Sequence, residues 1–384
     1  MNVEGIRLIN FRNYKNMGIS FNRDINILVG KNAQGKTNIL EAIYMCSNGR
    51  SFRTYRDKEI ISFDKDEAYI GANIKVGELE KFTEIKLHKD KPKRIRVNKS
   101  ELSSNKELNT GFKVVIFSPD DLKLIKDGPV NRRNYLDNCI SQLKPVYNYN
   151  LNKYYKVLIQ RNNTLKSVRL KSDLNSLLDV FDIQLANLGS IILLERRSII
   201  NKLNIESKDI HQSLTKGQED IVFSYLTNTQ IFNTLKETEN GFIDRLKRTR
   251  ESDILNRTTE VGPHRDDMII SINGKESKIF ASQGQQRSLV LTMKLAEVEI
   301  IKKDIGVYPV LLLDDVFSEL DEDRRLYLSK LFNNMQTFIT VTDAVEIKGL
   351  EDHEKEYFYV KEGLIYKGKK TWREVNDQWN KWKW

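Results

Sequence analysis

Gly30-Lys31-Asn32-Ala33-Gln34-Gly35-Lys36-Thr37 has the spacing G-x-x-x-x-G-K-T, and each fixed position answers a need of a bound triphosphate. Glycines let backbone amides curl round phosphate oxygens. Lys36 supplies a point charge to the β and γ phosphates, and the Thr37 hydroxyl is a ligand for Mg²⁺. A helix starting near Lys36 turns its positive end toward the same anion. Much later, the apolar run Val310–Leu313 ends in Asp314-Asp315. A buried strand there would deliver Asp314 to the Mg²⁺ beside Thr37. Asp315 would then orient or deprotonate an attacking water, which makes Lys36 and Asp315 the expected catalytic residues. Acidic pairs also end strands in ordinary turns, and it is the phosphate loop upstream that gives this pair its meaning. Ser282-Gln283-Gly284-Gln285 opens a long helix ahead of that strand. A hydroxyl, a glycine and a helix N-terminus make a second anion site. With one loop already serving the triphosphate, the second points to closure over the γ phosphate from another subunit. A plain capping residue before a polar first turn is the alternative.

The elements that must hold these residues alternate. Ile6–Phe11, Ile25–Val29, Tyr69–Val76, Phe82–His88 and Arg94–Val97 read as strands, and Lys36–Cys46 as a helix between them. From Arg132 to Lys247 the spacing turns helical. Tyr147, Leu151, Tyr154, Leu158 and Leu165, and then Leu174, Leu178, Phe181, Leu185, Leu188 and Ile192, fall at heptad a and d positions. Two helices packed as a short arm, or two ordinary helices of a bundle, would read this way. Strand and helix alternation returns with Met268–Ile272, Gln285–Lys303, Val310–Leu313, Arg324–Asn333 and Thr337–Val341. The expectation is an α/β unit split by a helical insertion: residues 1–125 with the phosphate loop, 126–255 as the inserted lobe, and 256–384 with the remaining motifs.

The 384 residues carry 63 Lys and Arg against 53 Asp and Glu, a net charge of +10, which favours an acidic partner. Lys86, Lys89, Lys91, Lys93, Arg94, Arg96 and Lys99 face one acid, Asp90, within a single strand region. Residues 131–250 hold 19 Lys and Arg against 12 Asp and Glu. Lys91, Lys93, Arg94 and Arg96 are therefore the expected nucleic-acid contacts, made to phosphates and without a base code. Two cysteines make no disulfide framework and the sequence reads as cytosolic. No signal peptide and no uninterrupted apolar run of membrane-spanning length stands out.

These motifs together resemble the ABC-type ATPases of the SMC class and, within it, the RecF family of bacterial recombination mediators. Further blocks carry the likeness: Ile6–Tyr14, Ser118–Leu122, Lys126–Pro129, Arg132-Arg133, Leu136-Asp137, Gly262–Asp267 and Ser318–Asp321. They follow in order from residue 1 to about 345. The resemblance implies an ABC-type, SMC-like ATPase head with an inserted helical lobe, binding ATP and Mg²⁺. It implies a signature motif at Ser282, Gly284 and Gln285 that reaches ATP across a homodimer. It places Asp321 in the loop linking the two sites and Arg12 near the phosphates. It also implies binding of single-stranded and double-stranded DNA and of their junctions, work with RecO and RecR in loading a recombinase at gaps, replication restart and the SOS response. Three departures touch hydrolysis. The signature reads Ser-Gln-Gly-Gln, the second carboxylate is Asp315 where most ABC ATPases have Glu, and Thr340–Asp343 lacks a histidine that such enzymes often place there. They point to a slow ATPase that works as a switch. The rival reading is an SMC-like ATPase coupled to a nuclease, with His264, Asp266 and Asp267 as its only compact metal-binding candidates.

Overall fold

The computed structural model describes residues 1–102, 111–167, 171–317, 320–342, 350 and 353–368, with the backbone alone at 171–174. The first half of the chain runs β1 (Asn2–Phe11), β2 (Tyr14–Ser20), β3 (Ile25–Val29), α1 (Lys36–Asn48), β4 (Glu67–Val76), β5 (Leu79–His88), β6 (Arg94–Val97), β7 (Ser100–Glu101), β8 (Val114–Phe117), α2 (Lys123–Lys126), α3 (Pro129–Leu143) and α4 (Pro145–Ser167). The second half runs α5 (Lys171–Leu214), β9 (Ile221–Leu226), α6 (Leu235–Asn256), β10 (Asp267–Ile272), β11 (Lys275–Glu276), α7 (Ser277–Phe280), α8 (Gln283–Ile305), β12 (Val310–Leu313), α9 (Glu322–Phe332), β13 (Thr337–Val341), β14 (Lys355–Lys361) and β15 (Leu364–Gly368). The chain divides into two compact units, 1–121 with 297–384, and 122–296.

The first unit holds two six-stranded sheets. One is antiparallel, in the order β2-β1-β4-β5-β6-β7. The other runs β15-β14-β3-β13-β12-β8, parallel except for β15. In β3, β12 and β13 every residue is buried, as a parallel sheet covered on both faces requires. Helix α1 starts where β3 ends. Its Ile39, Leu40, Ala42 and Ile43 join one apolar core with Leu8 of β1, Ile70 of β4, Ile85 of β5, Val114 of β8 and Phe338 of β13. The phosphate-loop helix is thus held by both sheets, and an element this enclosed sets its N-terminus firmly.

The second unit is mainly helical, with the three-stranded antiparallel sheet β11-β10-β9 and the start of α8. Tyr147, Tyr154, Leu158 and Leu165 of α4 are buried, as are Leu178, Leu185 and Ile192 of α5, so most of the heptad positions do face inward. Charges are buried with them. Arg161 of α4 pairs with Asp182 of α5 at 2.8 Å and with Asp253 of α6 at 2.7 Å. Arg196 of α5 holds Asp137 of α3 through two bonds of 2.9 Å.

Three expectations are corrected here. The second break falls at 296/297 and not at 255/256, because β9 pairs with β10 along its length and so joins residues 256–296 to the helices. The middle region is not wholly helical, since Ile221–Leu226 alternates as a strand. By length and composition, Asn175–Leu214 of α5 is long and apolar enough to cross a membrane. A search for unbroken apolar runs overlooks it, because polar residues such as Asp182, Gln184, Asn187 and Ser190, and then Glu195, Arg196 and Arg197, interrupt its aliphatic stretches. Much of that helix packs within the unit, with Leu185, Ile192, Leu193, Ile199 and the paired Arg196 all buried.

Candidate nucleotide site

The loop between β3 and α1 is tightly specified. A Cβ on Gly30 would come within 2.3 Å of the Val360 carbonyl oxygen of β14. Gly35 has φ 118 and caps α1, a conformation that L side chains rarely adopt. Two turns clamp the loop from outside. Asn13 Nδ2 donates to the Gln34 carbonyl at 2.8 Å, and the Tyr14 hydroxyl to the Gly35 carbonyl at 3.1 Å. On the other side, the Glu362 amide donates to Gln34 Oε1 at 2.6 Å and the Gly363 amide to the Gln34 carbonyl at 3.3 Å. Lys31, Asn32 and Ala33 form the exposed arc, and Ala33 takes a positive φ of 64. Lys36 is only 4% exposed, and its Nζ donates to the Gly30 and Lys31 carbonyls at 2.5 and 3.2 Å, which places the ammonium inside the loop.

Asp314 ends β12 and meets this loop. The Thr37 hydroxyl donates to Asp314 Oδ1 at 2.8 Å. Burial pushes the Asp314 carboxyl above its ordinary range, the Thr37 hydrogen bond works against the rise, and Asp315 adds to it. Between the two strands stands Thr340 of β13. Its Oγ1 lies 3.1 Å from Asp314 Oδ1 and 3.1 Å from Asp315 Oδ1, and it accepts the Asp315 amide at 2.8 Å. Two carboxylates and a hydroxyl, partly desolvated, are a donor set that a hard divalent cation stabilises. Thr37 and Asp314 fit Mg²⁺ in this respect. Among the described residues no group of three or more His, Cys, Asp and Glu could hold a metal by itself.

Arg12 has φ 52, and its guanidinium is tied elsewhere than to the phosphate loop. Nε and Nη2 form a two-pronged pair with Glu41 of α1 at 2.9 and 2.6 Å, and Nη1 donates to the Glu59 carbonyl at 2.8 Å. Glu41 is fully buried, receives the Ser51 hydroxyl at 2.5 Å and has Arg53 at 3.5 Å. No sequence signal singled out this carboxylate, which lies within a run of apolar helix positions. Thr340 and the Asn13 and Glu362 clamps were likewise missed as site residues, although Asn13 and Tyr14 stand in one of the resembling blocks.

The signature residues lie in the second unit. Ser282 and Gly284 are exposed. Ser282 and Gln285 cap each other: the Ser282 amide donates to Gln285 Oε1 at 2.8 Å, and the Gln285 amide to Ser282 Oγ at 3.3 Å. A Cβ on Gly284 would meet nothing nearer than Ser282 Oγ at 4.0 Å, so the turn presents open backbone to an incoming group. In the first unit, Asp321 is the N-cap of α9, accepting the Arg324 amide at 3.0 Å. Ser318 and Glu319 beside it lie outside the described residues.

The basic strands are less free than their sequence indicates. Lys93 pairs with Asp57 at 3.1 Å, and Arg94 and Arg96 share Glu101 at 2.8 and 3.2 Å. Of the four expected DNA contacts only Lys91 is exposed without such a pairing. His264, Asp266 and Asp267 do not converge on a metal site either. His264 bonds the Tyr154 hydroxyl at 2.7 Å and the Thr259 carbonyl at 3.0 Å, Asp266 receives the Tyr225 hydroxyl at 2.6 Å, and Asp267 is held by Arg132 at 2.7 Å.

Residues 2–361 match the family model described as the RecF/RecN/SMC N terminal domain. A DNA replication and repair protein RecF of Clostridium botulinum (strain Okra) is 44% identical over 366 residues, 95% of this chain and 99% of that protein. The chain belongs to the RecF family. A RecF of Clostridium perfringens (strain SM101) is 42% identical over 365 residues, again 95% of this chain and 99% of the relative. A solved structure of the recombination mediator protein RecF with ATP superposes with a TM-score of 0.89 at 36% identity, covering 95% of this chain and 97% of that one. An Smc head bound to the C-winged helix domain of ScpA shares the fold alone, with a TM-score of 0.54 at 14% identity over 98% of this chain and 100% of that one. The architecture is accordingly the ABC-type ATPase head of RecF and SMC proteins, with an inserted helical unit.

Proposed function

We propose that this RecF-family protein is an ATP-dependent DNA-binding switch of recombinational repair and replication restart. The observation that carries the reading is the Thr37–Asp314 hydrogen bond of 2.8 Å at a clamped phosphate loop with Lys36 buried inside it. ATP binds there, with Lys36 on the β and γ phosphates; Thr37 and Asp314 would hold Mg²⁺, which would screen the phosphate charge. Ser282, Gly284 and Gln285 of a second copy close the site, and Asp321 lies in the loop that links the two sites. The open backbone at Gly284 supports that closure. Arg12 acts through Glu41 on α1 and so on the loop that α1 carries.

The closed homodimer grips DNA, single-stranded, double-stranded or at their junctions, and hydrolysis releases it. Turnover is slow and DNA-stimulated. Asp315 is the residue that orients water, and its short side chain and hydroxyl neighbour Thr340 support a low rate. The RecFOR pathway named for the ATP-bound relative supports RecR and RecO as partners; with them the protein loads a recombinase at gaps in the cytoplasm and acts in the SOS response. The test is molar mass by sedimentation with and without ATP-Mg²⁺ and a DNA duplex, for wild type, Lys36→Met and Ser282→Arg. Dimerisation of wild type alone, with Ser282→Arg still binding ATP, is the expected result. A wild type that stays monomeric with ATP and DNA would overturn the switch.

A further inference from the structure

The side-chain amide of Gln285 has to be turned one way round. Its Oε1 must face the Ser282 amide to cap α8, so its Nε2 must point away. An amide can rotate by half a turn at little intrinsic cost, and an acceptor on the Nε2 side reinforces the orientation that the Ser282 amide selects. Glu219 is that acceptor: Gln285 Nε2 donates to Glu219 Oε1 at 2.9 Å. A carboxylate accepts and does not donate, so it fixes the amide in the capping orientation.

Glu219 is itself held. It lies in the turn from α5 to β9, where Lys216 and Gly217 both take positive φ and the next residue, Asp220, is bonded to Asn273 through both its amide and its carbonyl. Its other oxygen, Oε2, is 3.2 Å from Nε2 of His211, a fully buried residue near the C-terminus of α5. His211 Nδ1 is 2.9 Å from Thr292 Oγ1 of α8. The Thr292 hydroxyl gives its one proton to the Ser288 carbonyl at 2.8 Å, so toward His211 it can only accept. His211 therefore donates through Nδ1, and its Nε2 lies against Glu219 Oε2. The result is a continuous chain from α5 through His211 and Glu219 to the glutamine of the signature turn.

We propose that Glu219, backed by His211, is the positioning residue of Gln285, and that it presets the signature turn for the nucleotide of a second copy. This rests on the reading that Gln285 works at a site closed between two copies. The experiment uses the full chain and the ATP concentration giving half-maximal dimerisation, for wild type, Glu219→Ala, Glu219→Gln, Gln285→Ala and the double alanine variant. Loss of one charge-assisted hydrogen bond should raise that concentration about ten-fold in Glu219→Ala. Glu219→Gln should stay near wild type, because its carbonyl can still accept from Gln285 while its amide donates to His211. In the Gln285→Ala background, Glu219→Ala should add nothing. A cost that persists undiminished in that background would mean a general structural role and would overturn the proposal. So would a silent Glu219→Ala beside an impaired Gln285→Ala. A silent Gln285→Ala would instead sink the trans role of the signature. Separately from dimerisation, the Gln285 side-chain amide resonance in glutamine-labelled protein should move in Glu219→Ala, and an unmoved resonance would refute the positioning by itself.

Discussion

His264 and Asp266, two positions apart in the turn before β10, carry opposed pH dependences that cancel. Burial holds His264 down at about 4 from 6.5; the hydrogen bond to the Thr259 carbonyl works against the fall, and the positive charges of Arg265, Arg133 and Arg161 add to it. Burial raises Asp266 from 3.8 to about 6, against the opposing pull of the Tyr225 hydroxyl, Arg196, Thr227 and Arg133. Below 6.5 the unfolded chain takes up a proton at His264 that the folded one refuses. The stability due to His264 is thus complete above that pH and is lost as pH falls toward 4. For Asp266 the folded state keeps a proton that the unfolded chain releases near 3.8, so stability is lost as pH rises toward about 6 and stays lost above it. At about 1.4 kcal/mol per pH unit each displacement is worth about 3 kcal/mol, with opposite signs over the same interval. Asp266→Asn should therefore gain about 3 kcal/mol on wild type between pH 4 and 6.5, and His264→Gln should lose a similar amount. The assay is urea unfolding followed by circular dichroism at several pH values, where the helical signal comes mostly from the second unit. The midpoint differences from wild type should drift by about 1 M urea in opposite directions. Two flat difference profiles, or two of the same sign, would refute the reasoning.

Lys36→Met should weaken ATP binding by about ten-fold or more, the loss of a charge-assisted phosphate contact, as measured by calorimetry. Lys91→Glu should weaken DNA binding and lower its salt slope by about one, whereas Arg94→Gln, whose charge Glu101 already partners, should change the slope less; fluorescence titrations across salt concentrations check both. Arg161→Ala should destabilise the helical unit by about 3 kcal/mol, because Asp253 would be left buried without its ion partner and Asp182 with Arg250 alone, and a urea midpoint reads it.

What could be read from sequence was what is local. Val310–Leu313 is an unbroken apolar run, and Ile25–Val29 is one but for Asn26, because both faces of those strands are covered. Their ends, at Gly30 and Asp314, mark the site for the same reason. The heptad positions of α4 and α5 were legible because a helix repeats its buried face within one turn. What could not be read were partners brought from a distance. Lys93, Arg94 and Arg96 looked uncompensated because Asp57 comes from a separate turn and Glu101 from the strand after the basic run. Glu41 is the same case, a carboxylate with no local reason until Arg12 of β1–β2 closes on it. The strand β9 was missed because its period-2 signal is short and sits between two long helices, and that one pairing moves the domain boundary.

The second carboxylate shows how a departure from a motif can follow from the backbone. Asp315 takes φ 54 as the chain leaves β12, in the left-handed region. Asp and Asn are the residues that tolerate it best after glycine, because a short polar side chain can bond locally there. Thr340 supplies the local bond, accepting the Asp315 amide while its hydroxyl faces both carboxylates. That hydroxyl has one proton for two acceptors, so it satisfies one carboxylate at a time. A longer acid at 315 would leave both the tolerated conformation and the reach of Thr340. The short acid at 315 and the Thr340 hydroxyl are therefore a single arrangement of the β12 and β13 ends, and a change at either position alone disturbs the other.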